Sequence, residues 1–363
     1  MRVLIAGGGT GGHVFPALAV AQELRAVDPT ARILFVGADG LERELVPAHG
    51  FELVQLPAGR LKGATTVARL RTLARVLPAV LRARALLRRF APQVVVGVGG
   101  YASGPVVAAA ALARIPVLLL EQNAIPGLTN RLLARCAARV VVAFPQAEQR
   151  LPPGRAVLLG NPLRRELVAA LQQPRPAPGT GPGRQLLVLG GSQGARALNE
   201  AITAAALRLV GALPALLITH QTGPADAPWV AARYQQAGVA ARVEPFIQDM
   251  AEVYRKADLV LSRSGATTLA ELTVAGLPAV LVPYPHAADD HQTANAAELA
   301  QAGAAVLLPQ AQLSPERLAT LLAELLNDPS RLAAMSRAMH AAARPEAAAA
   351  VVRLVRELAG VAA

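Results

Sequence analysis

One pattern occurs twice in this chain and narrows the folds open to it. Val3-Leu4-Ile5-Ala6 is a short apolar run that stops at Gly7-Gly8-Gly9-Thr10-Gly11-Gly12-His13, after which apolar residues recur at helical spacing over 15–26. Far downstream, Leu186-Leu187-Val188-Leu189 stops in the same way at Gly190-Gly191-Ser192-Gln193-Gly194-Ala195. Strand, glycine turn and helix start is the opening of a βαβ unit. Further apolar runs lie at 33–36, 94–98 and 117–120 in the first half, and at 216–219, 259–261 and 279–282 in the second. Strands that alternate with helices need crossover connections, so the sheets are parallel and covered by helices. The fold class is α/β: two similar doubly wound domains, each with its ligand sites at the carboxyl ends of its strands.

Composition agrees with two packed cores. A chain of 363 residues is too long for one, and 53% hydrophobic against 17% charged residues excludes a disordered chain. Mean hydropathy is +0.38, but apolar stretches such as 106–113 fall far short of the roughly 20 residues of a spanning helix. The N-terminus enters the glycine turn without the pattern of a secretory signal, so a cytosolic chain is expected. The one cysteine, Cys136, is expected in the core, and no Cys and His cluster has the spacing of a zinc site. A net charge of +12 calls for an anionic partner, and an aromatic content of 3% argues against nucleic acid, whose single strands are bound by stacking. The Pro- and Gly-rich stretch 174–183 reads as a mobile linker or loop. Ser314-Pro315 and Asp328-Pro329 read as helix starts, and Arg344-Pro345 precedes the last helix.

Three motifs carry chemistry. Gly7-x-Gly9-x-x-Gly12 has the form of the dinucleotide fingerprint, whose glycines let backbone N–H groups approach a pyrophosphate. Asp39 lies near the end of the second strand, where an NAD enzyme holds its ribose, so an oxidoreductase stays open at this point, as does a tight turn without ligand. No lysine follows the glycines, which excludes a Walker-type loop. His13 stands at the mouth of the turn, and a histidine titrates near neutral pH as a general base should; a packing histidine is the alternative. The most specific block is 258–295. There a strand at 259–261 and the turn Ser262-Arg263-Ser264-Gly265 lead into a helix whose free N–H groups suit a diphosphate. Glu271 follows about a turn and a half later, where its carboxylate can accept from ribose hydroxyls, and Gln292 can donate and accept at a sugar.

Taken in order over nearly the whole chain, six segments resemble the MurG family of glycosyltransferases. They are 8–16, Gly99-Gly100-Tyr101-Ala102-Ser103-Gly104-Pro105, Glu121-Gln122-Asn123, Gly160-Asn161-Pro162-Leu163-Arg164, 190–195 and 263–271. The resemblance implies a GT-B fold, two Rossmann-like doubly wound parallel-sheet domains facing a cleft. It also implies transfer of GlcNAc from UDP-GlcNAc to lipid I, forming lipid II. Residues 1–161 are expected to form an acceptor- and membrane-binding domain, residues 162–343 a donor-binding domain, and a helix over about 344–363 is expected to pack back on the first.

Carried over by position, the resemblance implies donor contacts at Thr10, Gly11, Gly12, Asn123, Arg164, Ser192, Ile247, Ala266, Thr267, Thr268, Leu269, Ala270, Glu271 and Gln292. Ile247 would meet the uracil through backbone groups. His13 and Glu121 would be catalytic, with Tyr101 beside Glu121 on the acceptor side. Two departures stand out. The family has a histidine where this chain has Leu120, and 287–290 looks like an insertion.

An inverting displacement needs a base and a stabiliser of the leaving diphosphate. His13 is expected to take the proton of the acceptor C4 hydroxyl, and the helix start at Gly265-Ala266, with Ser192 and Arg164, to receive the charge. No Asp-x-Asp occurs, so neither metal nor other cofactor is expected. In 67–90, Val67, Leu70, Leu77 and Leu81 recur at helical spacing among Arg69, Arg71, Arg75, Arg82, Arg84, Arg88 and Arg89, with Pro78 dividing two helices. This reads as a basic amphipathic surface for an anionic membrane, a peripheral site on the cytoplasmic face, or else as two ordinary covering helices. Another UDP-sugar enzyme of the same fold, such as a lipid glycosyltransferase or a UDP-GlcNAc 2-epimerase, and a non-catalytic membrane scaffold are the competing readings.

Overall fold

The structure, a computed structural model, describes residues 1–56, 66–100, 102–181, 183–191 and 194–361, with the side chains of 66–76 outside the description. The chain divides into two compact units, Met1–Arg165 with Pro345–Ala363, and Glu166–Arg344.

The first unit holds a parallel sheet of β1 (Arg2–Ala6), β2 (Arg32–Gly37), β3 (Glu52–Gln55), β4 (Val94–Gly97), β5 (Val117–Glu121), β6 (Arg139–Val142) and β7 (Ala156–Leu158). Its order is β3-β2-β1-β4-β5-β6-β7. The sheet is buried on both faces because successive β1 side chains enter different cores: Val3 and Ile5 join Val14, Leu18 and Phe35, while Leu4 and Ala6 join Val95, Val106 and Leu119. The last helix, Ala347–Leu358, places Val351, Val352 and Val355 in the first of these cores.

The second unit repeats the plan with β8 (Arg184–Leu189), β9 (Leu216–Gln221), β10 (Ala241–Glu244), β11 (Leu259–Ser262), β12 (Ala279–Leu281) and β13 (Ala305–Leu307), in the order β10-β9-β8-β11-β12-β13. In each sheet the order reverses beside the first strand, between β1 and β4 and between β8 and β11, which is where doubly wound sheets open a ligand crevice. Beneath the second sheet's ligand edge, His220 is fully buried between the Tyr234 hydroxyl and the Asn199 amide, each at 3.0 Å, and burial pulls its pKa down to about 3, so it packs as a neutral ring.

The capped helix starts form as read: the side chains of Ser314 and Asp328 accept from the N–H groups of Arg317 and Arg331, with proline at the first helical position. Three expectations are corrected. The stretch from Pro174 is a loop inside the second unit and not a mobile linker, since its described residues are tied down. Arg175 donates to the Ala257 and Gly276 carbonyls, and the Asp258 carboxylate accepts from Gly179 and Gln185. Cys136 is exposed, because it falls in the turn after the helix Leu128–Leu133 and not in a strand. One helix, Thr66–Phe90, runs through Pro78, which lies on an exposed face where water can take the carbonyl that proline leaves unbonded. Among the described residues no helix is long and apolar enough to cross a membrane.

Candidate active site

In the first unit the carboxyl ends of β1, β4 and β5 carry the predicted groups. The helix Gly11–Val27 starts after Thr10, which gives it no side-chain cap, so Gly11, Gly12 and His13 stand at an open helix start. Thr10 Oγ1 lies 3.2 Å from His13 Nδ1, which orients the ring. The other side of the imidazole lies over Gly99, in the turn after β4. A Cβ there would sit 2.8 Å from Cδ2 and 2.9 Å from Nε2, and Gly99 also has a φ of +92°, so only glycine fits. The turns after β1 and β4 thus form one seat for His13.

The acid that serves the first glycine turn is one the sequence reading passed over. Asp39 is exposed and paired with Arg43, whereas Glu42 is buried, its Oε2 accepting from Gly9 N–H at 2.7 Å and its Oε1 from Ala38 N–H at 2.9 Å. The dinucleotide reading fails on this point, since the buried carboxylate binds the loop itself rather than facing a ribose. Only the spacing of Glu42 from the end of β2 could have signalled it.

Glu121 ends β5 and is buried. Its Oε1 accepts from the Asn123 N–H at 2.9 Å, and its Oε2 from Gly127 N–H at 3.0 Å and Asn130 Nδ2 at 2.9 Å. Burial pushes its carboxyl pKa up, against the opposing pull of these donors. The carboxylate therefore fixes the backbone of 123–127 and with it the direction of Asn123. Leu120 is fully buried among apolar residues of the first core, so this chain fills with hydrocarbon the position where the resemblance expects a histidine. Arg164 is half-buried near the end of the first unit, and Tyr101 lies outside the described residues.

In the second unit the turn after β11 leads into the helix Ala266–Ala275, whose cap residue Gly265 has extended backbone and no side chain to bond the first N–H groups. No acidic residue occupies the first turn. The amides of Ala266, Thr267 and Thr268 therefore point out of the helix start as an anion-binding end. Leu269 differs: its side chain is buried and its N–H is given to the Gly265 carbonyl at 3.0 Å, so with Ala270 it spaces the start from Glu271. Tyr254, fully buried, donates to Glu271 Oε2 at 2.8 Å. Burial, reinforced by that carboxylate, holds the phenol pKa well above its usual value, so Tyr254 remains a donor.

Gln292 accepts from Tyr284 N–H at 3.0 Å through Oε1, while its backbone carbonyl takes the Ser264 hydroxyl at 2.8 Å, which binds the turn before the helix to the segment after β12. Arg263 is structural: it donates to the carbonyls of Val282 and Pro283 and to Gln310. Ile247 gives its N–H to Gln221 Oε1 at 3.0 Å. Ser192 lies outside the described residues. The insertion-like 287–290 forms a single 3-10 turn, Ala288–Asp290, ahead of the helix His291–Gln301 that carries Gln292. Among the described residues no group of three or more His, Cys, Asp or Glu side chains is placed to hold a metal ion.

The chain matches the models of the glycosyltransferase family 28 N-terminal domain over residues 3–142 and C-terminal domain over 185–351. It is 46% identical over 359 residues to a protein of Anaeromyxobacter dehalogenans named UDP-N-acetylglucosamine--N-acetylmuramyl-(pentapeptide) pyrophosphoryl-undecaprenol N-acetylglucosamine transferase, covering 99% of this chain and 93% of that one. A protein of the same name from Geobacter sulfurreducens is 43% identical over 353 residues, 97% of each chain. Among solved structures, the chain is similar to MurG of Acinetobacter baumannii, with a TM-score of 0.81 and 35% identity over 98% of this chain and 99% of that one. A putative UDP-N-acetylglucosamine 2-epimerase of Listeria monocytogenes, at a TM-score of 0.71 and 15% identity, shares the fold.

Proposed function

The chain belongs to glycosyltransferase family 28, in the MurG branch, and from that premise we propose how its residues carry out the reaction. It transfers GlcNAc from UDP-GlcNAc to the lipid-linked N-acetylmuramyl pentapeptide, the product being lipid II. The observation that carries the assignment of the donor site is the uncapped start of the helix Ala266–Ala275 with Glu271 held by Tyr254. The amides of Ala266 to Thr268 take the diphosphate, the Glu271 carboxylate the ribose hydroxyls, the Ile247 backbone the uracil, and Gln292 the sugar. Arg164, Asn123, Ser192 and the Thr10-Gly11-Gly12 turn complete the donor contacts, with Leu269 and Ala270 acting through the helix that spaces Glu271.

The displacement is single and inverting. The acceptor C4 oxygen bonds to the donor C1 as the bond from C1 to the diphosphate oxygen breaks, the electron pair leaving with UDP. The hydroxyl proton passes to His13, whose Nδ1 stands beside Thr10 and whose Nε2 is the receiving nitrogen. Glu121 acts by holding the loop 123–127, and with it the donor contact Asn123, in place. Fixed amide dipoles and Arg164 meet the leaving charge, the role a divalent cation has in other sugar transferases. Turnover should therefore stay within about twofold when EDTA replaces added Mg²⁺ or Mn²⁺; activity that collapses in EDTA and returns with either ion contradicts this part of the mechanism.

We further propose that the enzyme works as a peripheral protein on the cytoplasmic face of an anionic membrane. Leu77, Leu81 and Leu112 are exposed, and Arg84, Arg88 and Arg114 line a surface pocket of about 620 Å³ beside Leu112. Three arginines lining one surface pocket suit lipid phosphates. Changing both Leu77→Glu and Leu81→Glu should weaken co-sedimentation with phosphatidylglycerol-containing vesicles by at least about tenfold. Binding that is unchanged in the double variant, or that is equal on vesicles without anionic lipid, counts against the membrane reading.

A further inference from the structure

Gln221 is the last residue of β9, and its buried amide joins two turns that come from different strands. Nε2 donates to the Gly191 carbonyl at 3.1 Å, in the glycine turn after β8, and Oε1 accepts from the Ile247 N–H at 3.0 Å, in the turn after β10. The order β10-β9-β8 puts Gln221 on the middle strand of the three. Backbone bonds from the same strand end run to the same two places: Gly190 N–H to the Gln221 carbonyl at 3.3 Å, and Thr222 and Gly223 N–H to the carbonyls of Glu244 and Pro245 at 3.0 and 3.1 Å. The glycine turn is seated on this strand end closely enough that a Cβ at Gly194, where φ is +78°, would collide with the Thr222 carbonyl.

A primary amide is the side chain that can donate to a carbonyl and accept from an N–H with one planar head. A carboxylate in its place would face the Gly191 carbonyl with an acceptor, and an apolar side chain would leave both backbone groups unbonded in a buried setting. We propose that Gln221 is the positioning residue that fixes the distance between the glycine turn after β8, whose Ser192 assists at the diphosphate in the donor site proposed above, and the uracil-facing turn at Ile247, so that the enzyme recognises uridine and diphosphate as one unit. The inference rests on the donor site proposed above, because it gives that site its spacing. When two subsites are held at the correct separation, the second contact is made intramolecularly and the joined ligand gains affinity beyond either half. When the separation is loose, each half still binds its own turn while the joined ligand loses that gain.

The test compares the full-length wild type with Gln221→Glu and Gln221→Met, using UDP, uridine and pyrophosphate as probes. Direct calorimetry reports UDP, and competition against a fluorescent UDP analogue reports the two fragments. In both variants the UDP affinity should fall about tenfold while the affinities for uridine and pyrophosphate stay within about twofold of wild type. The inference is overturned if UDP affinity stays within about twofold in either folded variant, or if a fragment weakens by the same factor as UDP, since Gln221 would then support one turn alone. A wild type that binds no UDP overturns the donor-site reading itself, an outcome separate from the first two. Gln221→Glu keeps the acceptor for Ile247 and so remains informative if Gln221→Met does not fold.

Discussion

His13→Ala is expected to lower kcat by about 10² to 10⁴ with the KM for UDP-GlcNAc little changed, the range normal for removal of a general base. The expectation follows from the setting of the ring. It stands at an uncapped helix start, is oriented through Nδ1 by Thr10, and rests on Gly99, a position that a side chain would close. None of these contacts belongs to the hydrophobic cores, so the change should act on chemistry more than on folding. His13→Gln separates the two roles of the residue, because a glutamine can still meet Thr10 but takes no proton at neutral pH. Retention of more than a tenth of wild-type turnover by His13→Ala at saturating substrates removes His13 from the mechanism.

Glu271→Ala should show the opposite split, a rise of about 10- to 100-fold in the KM for UDP-GlcNAc with kcat changed much less. A hydrogen bond to a charged group is worth about 1.5 to 3 kcal/mol, and about 1.4 kcal/mol is tenfold in binding. The carboxylate is aimed by Tyr254, which donates at 2.8 Å from a fully buried position, so Tyr254→Phe should produce a smaller effect of the same kind. The ribose can be isolated as the partner with a 2′-deoxy donor. Wild type should discriminate against it and Glu271→Ala should not, because the group that senses the hydroxyl is gone. Unchanged KM values in Glu271→Ala, or equal discrimination in both proteins, would sink the ribose assignment.

Much of the frame could be read from the chain because it depends on local sequence. The central strands β1, β4, β5, β8, β11 and β12 are apolar runs closed by turns, and each is buried in its sheet. Strands β6, β7 and β13 escaped the reading, and so did the edge strands β3 and β10. The last two carry Glu52, Arg242 and Glu244, the charged side chains that guard an open sheet edge and also erase the apolar signal. The long helix at Thr66–Phe90 was misread at Pro78, since proline breaks a helix in isolation but is tolerated where its lost hydrogen bond faces water.

The candidate site divides in the same way. His13, Asn123, Glu271 and Gln292 sit in turns and helix starts that the sequence itself marks. Glu42, Tyr254 and Gln221 act at a distance. Glu42 reaches Gly9, Tyr254 reaches Glu271, and Gln221 reaches both Gly191 and Ile247, and such partners meet only once the strand order is known. Leu120 is the reverse case, a departure visible in sequence whose meaning came from its burial in the first core.

The most direct test of the account incubates purified enzyme with UDP-GlcNAc and a short-chain lipid I analogue, without added metal, and follows UDP release and the lipid-linked product together. The account predicts UDP and a GlcNAc-MurNAc disaccharide in equal amounts, with a β linkage formed from the α-linked donor. Release of free GlcNAc, conversion of the donor to another UDP-sugar, or donor binding with no acceptor-dependent product would contradict it.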